Sequence, residues 1–158
     1  MHSVIPTVGD CMTPAPHVVA PYDKLAHARR IMQEYGLRHL PVVDDGKLIG
    51  VVSDRDMSLV QSLAPVSPDA ITVEDAMTSD PYTVEPETLL QEVARKMAER
   101  KVGSAIVVDH GKVAGVFTTT DALHALADSL EGKDLRKVYE SVTTAPPGGR
   151  RAGEGDLR

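Results

Sequence analysis

Val42-Val43-Asp44-Asp45-Gly46-Lys47-Leu48-Ile49-Gly50-Val51-Val52-Ser53-Asp54-Arg55-Asp56 returns 65 residues later as Val107-Val108-Asp109-His110-Gly111-Lys112-Val113-Ala114-Gly115-Val116-Phe117-Thr118-Thr119-Thr120-Asp121. Each stretch reads as two apolar strands around a tight turn, where Gly46 or Gly111 supplies positive φ, followed by the start of a helix. Working outward, the correspondence runs without a gap from Thr7–Asp56 onto Thr72–Asp121, with 20 identities in 50 pairs. The identities cluster: Thr7-Val8 falls on Thr72-Val73, and Asp10-x-Met12-Thr13 on Asp75-x-Met77-Thr78. Two copies of one small unit, each short of a good core, are expected to stack on each other. Stacking creates a pseudo-two-fold cleft, and clefts are where ligands bind.

Each copy reads in the same order. A lead-in segment (Thr7–Thr13, Thr72–Thr78) precedes a short extended stretch at Val18-Val19 or Thr83-Val84, ended by Pro21 or Pro86. A helix follows, with Asp23 as N-cap in the first copy and a Thr88/Gln91 capping box in the second. Leu25, Ala28 and Met32, matched by Leu90, Val93 and Met97, lie at i, i+3, i+7 and mark one helix face. Gly36 is the expected C-cap. Strands are expected at Leu40–Val43, Leu48–Val52, Ala105–Val108 and Val113–Phe117; as continuous apolar runs they should be covered on both faces. A second helix starts near Ser53 or Thr118, with Leu123, Leu126, Ala127 and Leu130 as its buried face in the second copy. The expected fold is α/β, two pseudo-symmetric β-α-β-β-α repeats. The boundaries are 1–62 for the first repeat with its lead-in, 63–71 for a linker holding Pro65 and Pro68, and 72–130 for the second repeat. Leu135, Val138, Tyr139 and Val142 suggest a short amphipathic helix over 131–142. The remainder, 143–158, contains Pro146-Pro147-Gly148-Gly149 and few apolar residues, and reads as a flexible tail that cannot repay its ordering entropy.

Composition narrows the class. The chain has 158 residues, 42% apolar and 25% charged, which is ordinary for one globular domain or two half-domains sharing a core. A single Phe and no Trp make the core aliphatic. The net charge of −6 argues against sequence-independent nucleic-acid binding, which needs a basic surface. The longest strongly apolar run is about Ala105–Val108, too short to span a membrane. Met1-His2-Ser3-Val4 does not read as a secretion leader, and the lone Cys11 fits a reducing, cytoplasmic location.

The recurring chemical pattern is Gly-apolar-x-Ser/Thr-x-x-Asp: Gly50 to Asp56, and Gly115 to Asp121. A strand ends and a helix begins there, so free backbone N–H groups and the positive dipole end point at one spot. A phosphate suits that spot, and the Ser53 or Thr118 hydroxyl adds a donor. One turn later a carboxylate can accept two hydrogen bonds from a vicinal diol, as ribose presents. The same residues also make a helix cap, and for one copy alone the cap is the simpler reading. Repetition in register favours a ligand, and both roles can coexist. Asp54 reads as a cap rather than half of an acidic metal pair. Met12/Met77 and Met32/Met97 are more often core filler than ligand contacts. His27, His39, His110 and His124 lack metal-ligand spacing, one Cys cannot build a structural zinc site, and there is no G-x-G-x-x-G or Walker loop. Ser53 has no neighbouring His to activate it as a nucleophile.

Thr-Val-x-Asp-x-Met-Thr, Leu-Arg-His-Leu-Pro-Val-Val-Asp and Gly-Val-Val-Ser-Asp-Arg-Asp together resemble a tandem pair of cystathionine β-synthase (CBS) domains across about Thr7–Leu130. The resemblance implies two clefts for adenosyl ligands: AMP, ADP, ATP, NAD or S-adenosylmethionine. It also implies a stand-alone regulatory, signal-transducing role without catalysis, and a disc-like homodimer formed through the helices beside the clefts. Family geometry draws each cleft from both copies. One combines Ser53, Arg55 and Asp56 with Thr72, Met77, Thr78, Val102, Gly103 and Ser104. The other combines Thr118, Thr120 and Asp121 with Thr7, Met12, Thr13, Leu37, Arg38 and His39. By resemblance, Asp56 and Asp121 hold ribose, Ser53 and Thr118 meet phosphate, and backbone beside the middle strands reads adenine.

The copies differ where phosphates are expected. Arg38-His39 stands opposite Gly103-Ser104, Arg55 opposite Thr120, and Pro41 opposite Ile106. Each cleft keeps a cation, although Arg38 and Arg55 read equally well as solvated surface charges. His39 reads either as a residue that caps or packs at a strand start or as a ligand contact, and in the second role it can titrate and make phosphate affinity pH-dependent. The main alternative function is a ligand-independent interaction or dimerisation module contacting its partner, an unknown downstream protein, through the terminal helix. An enzyme acting on a nucleotide ranks below it, and nucleic-acid binding last.

Overall fold

The computed structural model describes residues 5–14, 17–63 and 65–136. Its elements in chain order are α1 (Val8–Cys11), β1 (Thr13–Pro14), α2 (Leu25–Tyr35), β2 (His39–Asp44), β3 (Lys47–Ser53), α3 (Asp54–Leu63), α4 (Val73–Ala76), β4 (Thr78–Ser79), β5 (Thr83–Val84), α5 (Leu90–Arg100), β6 (Ser104–Asp109), β7 (Lys112–Thr118) and α6 (Thr119–Leu130). All four long strands occur where the apolar runs placed them, one residue longer at each end. The two hairpins close on residues with positive φ, Asp45-Gly46 (49°, 76°) and His110-Gly111 (49°, 78°). Both hairpins shift register at the same place, between Val42 and Val43 and between Val107 and Val108.

The two copies exchange their lead-in segments. β1 of the first copy pairs with β7 of the second (Thr13↔Val116, Pro14↔Gly115), giving a sheet ordered β1-β7-β6-β5. β4 of the second copy pairs with β3 of the first (Thr78↔Val51, Ser79↔Gly50), giving β2-β3-β4. The short helices follow the same rule. The Val8 and Gly9 N–H groups donate to the carbonyls of Thr88 and Pro86, and the Val73 and Glu74 N–H groups donate to those of Asp23 and Pro21. Each lead-in helix is closed by its own capping box, Thr7 with Asp10 and Thr72 with Asp75.

Among the described residues three apolar clusters result. One joins Leu25, Ala28, Met32, Leu40, Val42 and Val52 of the first copy to Ile71, Val73 and Ala76 from the second lead-in. Another joins Leu90, Val93, Met97, Ala105, Val107 and Phe117 to Val8 and Cys11 from the first lead-in. Val51, Ile106 and Val116 form the seam between the two sheets. The strands are thus covered by helices on one face and by the opposite sheet on the other. Each fully buried Val or Leu contributes about 1.5–3 kcal/mol of transfer free energy, so exchanging the lead-ins binds the copies into one folding unit.

Several local expectations require correction. α2 is preceded by Lys24 with no side-chain cap bond; the Asp23 carboxylate instead accepts the Ala20 N–H and closes the turn before the helix. Leu89, not Thr88, is the cap of α5, and no side-chain capping bond forms there. Asp54 lies inside α3, and the reciprocal bonds at that helix start join Ser53 and Asp56. In α6 the buried residue is Ala125, while Leu123, Leu126 and Leu130 are 65%, 56% and 80% exposed and Ala127 is exposed with them. The spacing of those leucines does give one helix face, but the narrow contact with the sheet is made by small residues. In the first copy the extended stretch before α2 makes only a single bridge, Val19↔Val42, where the second copy has β5. Of the expected 131–142 helix only its start is described, with Leu135 packed against the second cluster; the rest and the expected tail lie outside the described residues.

Candidate functional site

The exchange of lead-ins brings β1 alongside the end of β7, and with it Thr13 beside the Gly115–Asp121 motif. The Thr13 hydroxyl donates to Asp121 Oδ1 at 3.1 Å, a direct link between sequence positions 108 apart. Asp121 Oδ2 accepts from the Thr118 N–H at 2.9 Å and from its hydroxyl at 3.0 Å. Asp56 accepts the Ser53 N–H at 3.1 Å, and Ser53 Oγ accepts the Asp56 N–H at 3.0 Å. Each motif therefore caps its helix, and the capping holds the carboxylate at the helix start with its backbone N–H groups.

A cavity of about 420 Å³ opens in front of the second motif. It is lined by Thr118, Thr120 and Asp121 together with Thr13, Leu37, Arg38 and His39, seven residues of the second expected set. Its volume lies within the usual range for small-ligand sites. Thr7 and Met12 do not line it. The Thr7 hydroxyl is engaged with Asp10, and the Met12 thioether lies against Gly115, 2.5 Å from where a Cβ on that residue would stand.

The first motif shows related contacts with its own expected set. Thr78 pairs with Val51 next to the motif, and Met77 lies under Gly50 as Met12 lies under Gly115. The Thr72 hydroxyl is turned to Asp75. Val102 packs into the second cluster and Ser104 is buried opposite Thr118 in the β6–β7 ladder. The Gly103 carbonyl accepts both the N–H and the hydroxyl of Thr119, at 3.1 Å and 3.2 Å. Arg55 is exposed beside Asp56 at the start of α3.

Sequence reasoning missed part of the cavity wall. His17, Tyr35, Pro14, Pro41 and Val116 also line it, and the rings of His17 and Tyr35 stack with centroids 3.9 Å apart at 25°. The sequence carries no signal for this pair, since neither residue is repeated, and the correspondence shows only in the structure. Under the 65-residue shift the pair falls on Tyr82 and Arg100, where the guanidinium sits 5.0 Å over the ring. Two interacting planar groups thus occupy equivalent places, although neither residue type is repeated.

The larger groove, about 1260 Å³, lies elsewhere, between the two hairpin turns, β5 and α5. Its wall mixes Lys47, Arg95 and Lys96 with Glu85, Glu87, Glu92 and Glu99, so no one sign of charge converges there. The smaller cavity is the better candidate because the Asp121 carboxylate, Thr118 and Thr120 at the start of α6, the Arg38 guanidinium and the His39 imidazole line it together. Cys11 is not a reactive group: burial pushes its thiol up to about 12, with neighbouring Asp10, Asp121 and Asp128 adding to the shift. Among the described residues no group of three or more His, Cys, Asp or Glu side chains could hold a metal ion. No helix among them is long and apolar enough to cross a membrane.

His39 is half-buried, and burial lowers its pKa from the ordinary 6.5; Asp56 and Asp121 counter this, while Arg38 adds to it. The folded chain therefore binds this proton less readily than the unfolded chain. The stabilising contribution is present above the ordinary value and is lost as pH falls through and below it. The melting temperature of the unliganded protein is expected to fall between about pH 7.5 and about pH 5.5, and His39→Gln to flatten part of that slope. Equal slopes for the two proteins in thermal melts contradict this assignment.

Comparison with known proteins gives a consistent set. The CBS domain family model matches residues 8–61 and 73–128. The chain is 36% identical over 117 residues to inosine-5'-monophosphate dehydrogenase of Korarchaeum cryptofilum, covering 73% of this chain and 23% of that protein. It is 33% identical over 149 residues to the chloroplastic CBS domain-containing protein CBSX2 of Arabidopsis thaliana, covering 75% and 63%. The chain thus spans about a quarter of the first relative and less than two thirds of the second. The crystal structure of CBSX2 in complex with AMP superposes with a TM-score of 0.64 at 34% identity, over 79% of this chain and 98% of that one. The CBS domain pair of MJ0100, in complex with 5'-methylthioadenosine and S-adenosyl-L-methionine, gives 0.70 at 26% identity, over 80% and 99%.

Proposed function

The chain belongs to the CBS-domain family as a tandem pair, and from that we propose that it is a regulatory module sensing an adenosyl ligand, with AMP, ADP or ATP first in order. NAD and S-adenosylmethionine remain in the candidate set. The observation that carries the reading is the convergence of Asp121, Thr13, Thr118, Arg38 and His39 on one cavity built from both copies. In this reading Asp121 accepts hydrogen bonds from the ribose hydroxyls. The phosphate lies against the start of α6 with Arg38 and His39 as its donors, and the Thr118 hydroxyl joins them by giving up its bond to Asp121 Oδ2. The second motif-bearing cleft uses Asp56, Ser53 and Arg55 with Thr78 and Gly103. AMP in CBSX2, and 5'-methylthioadenosine with S-adenosyl-L-methionine in MJ0100, support an adenosyl ligand.

Because the cleft is formed between copies, a ligand there tightens one arrangement of the pair against others, and shifts the exposed surface only by its preference between them. A non-catalytic role is supported by the engagement of Ser53 in a helix cap and by the burial of Cys11. The exposed Leu123, Leu126 and Leu130 face of α6 supports a homodimer. The same face also favours the second reading, a module that binds partners without a small ligand. The remaining proposals are that it acts in the cytoplasm, with an unidentified downstream partner.

Calorimetric titration with AMP, ADP, ATP, NAD and S-adenosylmethionine, paired with sedimentation, separates the two readings. Nucleotide sensing predicts at least one ligand with a dissociation constant below millimolar. A dimer with no binding to any of the five leaves the interaction module.

A further inference from the structure

Resting on the reading that phosphates enter both clefts, we infer that His39 is a donor shared between them, so that filling one cleft with an anionic ligand weakens the other. The imidazole lines the cavity in front of Thr118 and Asp121. Its backbone pairs with Ser53, the cap of the other motif. Its Nε2 lies 3.5 Å from where a Cβ on Gly103 would stand, and the Gly103 carbonyl holds the first residue of α6. The ring therefore sits between the starts of α3 and α6.

The charged and titratable groups that face it come from both sides. Asp56 on α3 and Asp121 on α6 both draw a proton towards it, and Arg38 before β2 opposes them. His17 lies in the same cavity wall. The repeat supplies no second imidazole: the equivalent residue is Ser104, buried and paired with Thr118. One ring thus stands for two clefts. A phosphate entering the first captures the donor and favours its protonated form. A second phosphate then meets a donor already engaged and a negative charge nearby, which opposes its binding. The coupling is a property of the phosphate, so a neutral nucleoside does not elicit it.

Calorimetry of the full chain with AMP and with adenosine tests this. AMP is expected to bind in two steps whose dissociation constants differ by about tenfold beyond any difference seen with adenosine, within the range usual for coupled sites. His39→Ala should bring the AMP ratio down to that of adenosine, chiefly by weakening the first step. His39→Gln, which keeps a neutral donor, should fall between them. Thermal melts check that each variant is folded. An AMP ratio equal to the adenosine ratio in the wild type, or an unchanged ratio in folded His39→Ala, overturns the coupling while leaving nucleotide binding intact. If neither ligand binds the wild type, the nucleotide reading itself fails and the coupling with it.

Discussion

Replacing Asp121 by Ala is expected to weaken AMP binding at the cavity it lines by at least about 100-fold. A carboxylate that accepts both ribose hydroxyls makes two hydrogen bonds to a charged group, each about 1.5–3 kcal/mol. Losing both removes roughly 3 kcal/mol or more, which corresponds to about two orders of magnitude in affinity. The same carboxylate closes the capping box with Thr118 and accepts from Thr13. Loss of a cap costs about 1 kcal/mol, and a domain of this size then melts roughly 2–4 °C lower. The protein stays folded while binding at that cleft collapses, and this mismatch between the two effects identifies a ligand role. Asp121→Asn, which keeps one acceptor oxygen without charge, should lie between wild type and Ala in affinity. Asp56→Ala removes the second cleft in the same way, and the double substitution should abolish binding. Calorimetry beside thermal melts reads both quantities. Wild-type affinity in the folded double variant would leave the two carboxylates as caps and nothing more.

Gly115→Val is expected to carry the largest stability loss of the conservative substitutions, because it strikes where the copies exchange chain. A Cβ there would lie 2.5 Å from Met12 Sδ and 2.8 Å from the Thr13 carbonyl oxygen. The thioether can swing away, but the carbonyl belongs to β1, whose register against β7 runs Thr13↔Val116 and Pro14↔Gly115. Either β1 lifts off or the hairpin bends, and overpacking of this kind costs about 1–3 kcal/mol. A melting temperature lowered by roughly 2–12 °C follows. Thr13 and Pro14 also line the cavity, so AMP affinity should fall together with stability. Gly50→Val, pressed against Met77 and the Thr78 carbonyl, repeats the defect in the other sheet. A Gly115→Val protein that melts like the wild type and binds AMP as tightly contradicts the account of the exchanged strands.

The repeat made the hairpins, α2 and α5 and their buried stripes legible, since period and turn chemistry are local properties. Leu25, Ala28 and Met32, and their counterparts Leu90, Val93 and Met97, are all buried. The exchange of β1 and β4 was not legible from pattern, because a two-residue strand carries no periodicity and its partner lies in the other copy. Asp23 and Thr88 failed as caps for a related reason. The chain before each helix is fixed by bonds from the opposite lead-in, such as the Leu25 N–H to the Ile71 carbonyl and the Leu90 N–H to the Pro6 carbonyl, so side-chain capping is not needed there. The α6 leucines failed because an amphipathic stripe says that a face is apolar, not which surface covers it. Within the candidate site, motif residues such as Asp121 and Thr118 were readable. His17 and Tyr35 were not, since their stacking depends on tertiary approach rather than on sequence spacing.

The central claim is that an adenosyl ligand occupies the cavity built from Thr13, Arg38, His39, Thr118 and Asp121. A crystal structure of the protein with AMP tests it most directly. The account predicts ribose oxygens within hydrogen-bonding distance of Asp121 and the phosphate against the start of α6 beside Arg38 or His39. AMP bound instead in the larger groove against Arg95 and Lys96, with the smaller cavity unchanged, would contradict it.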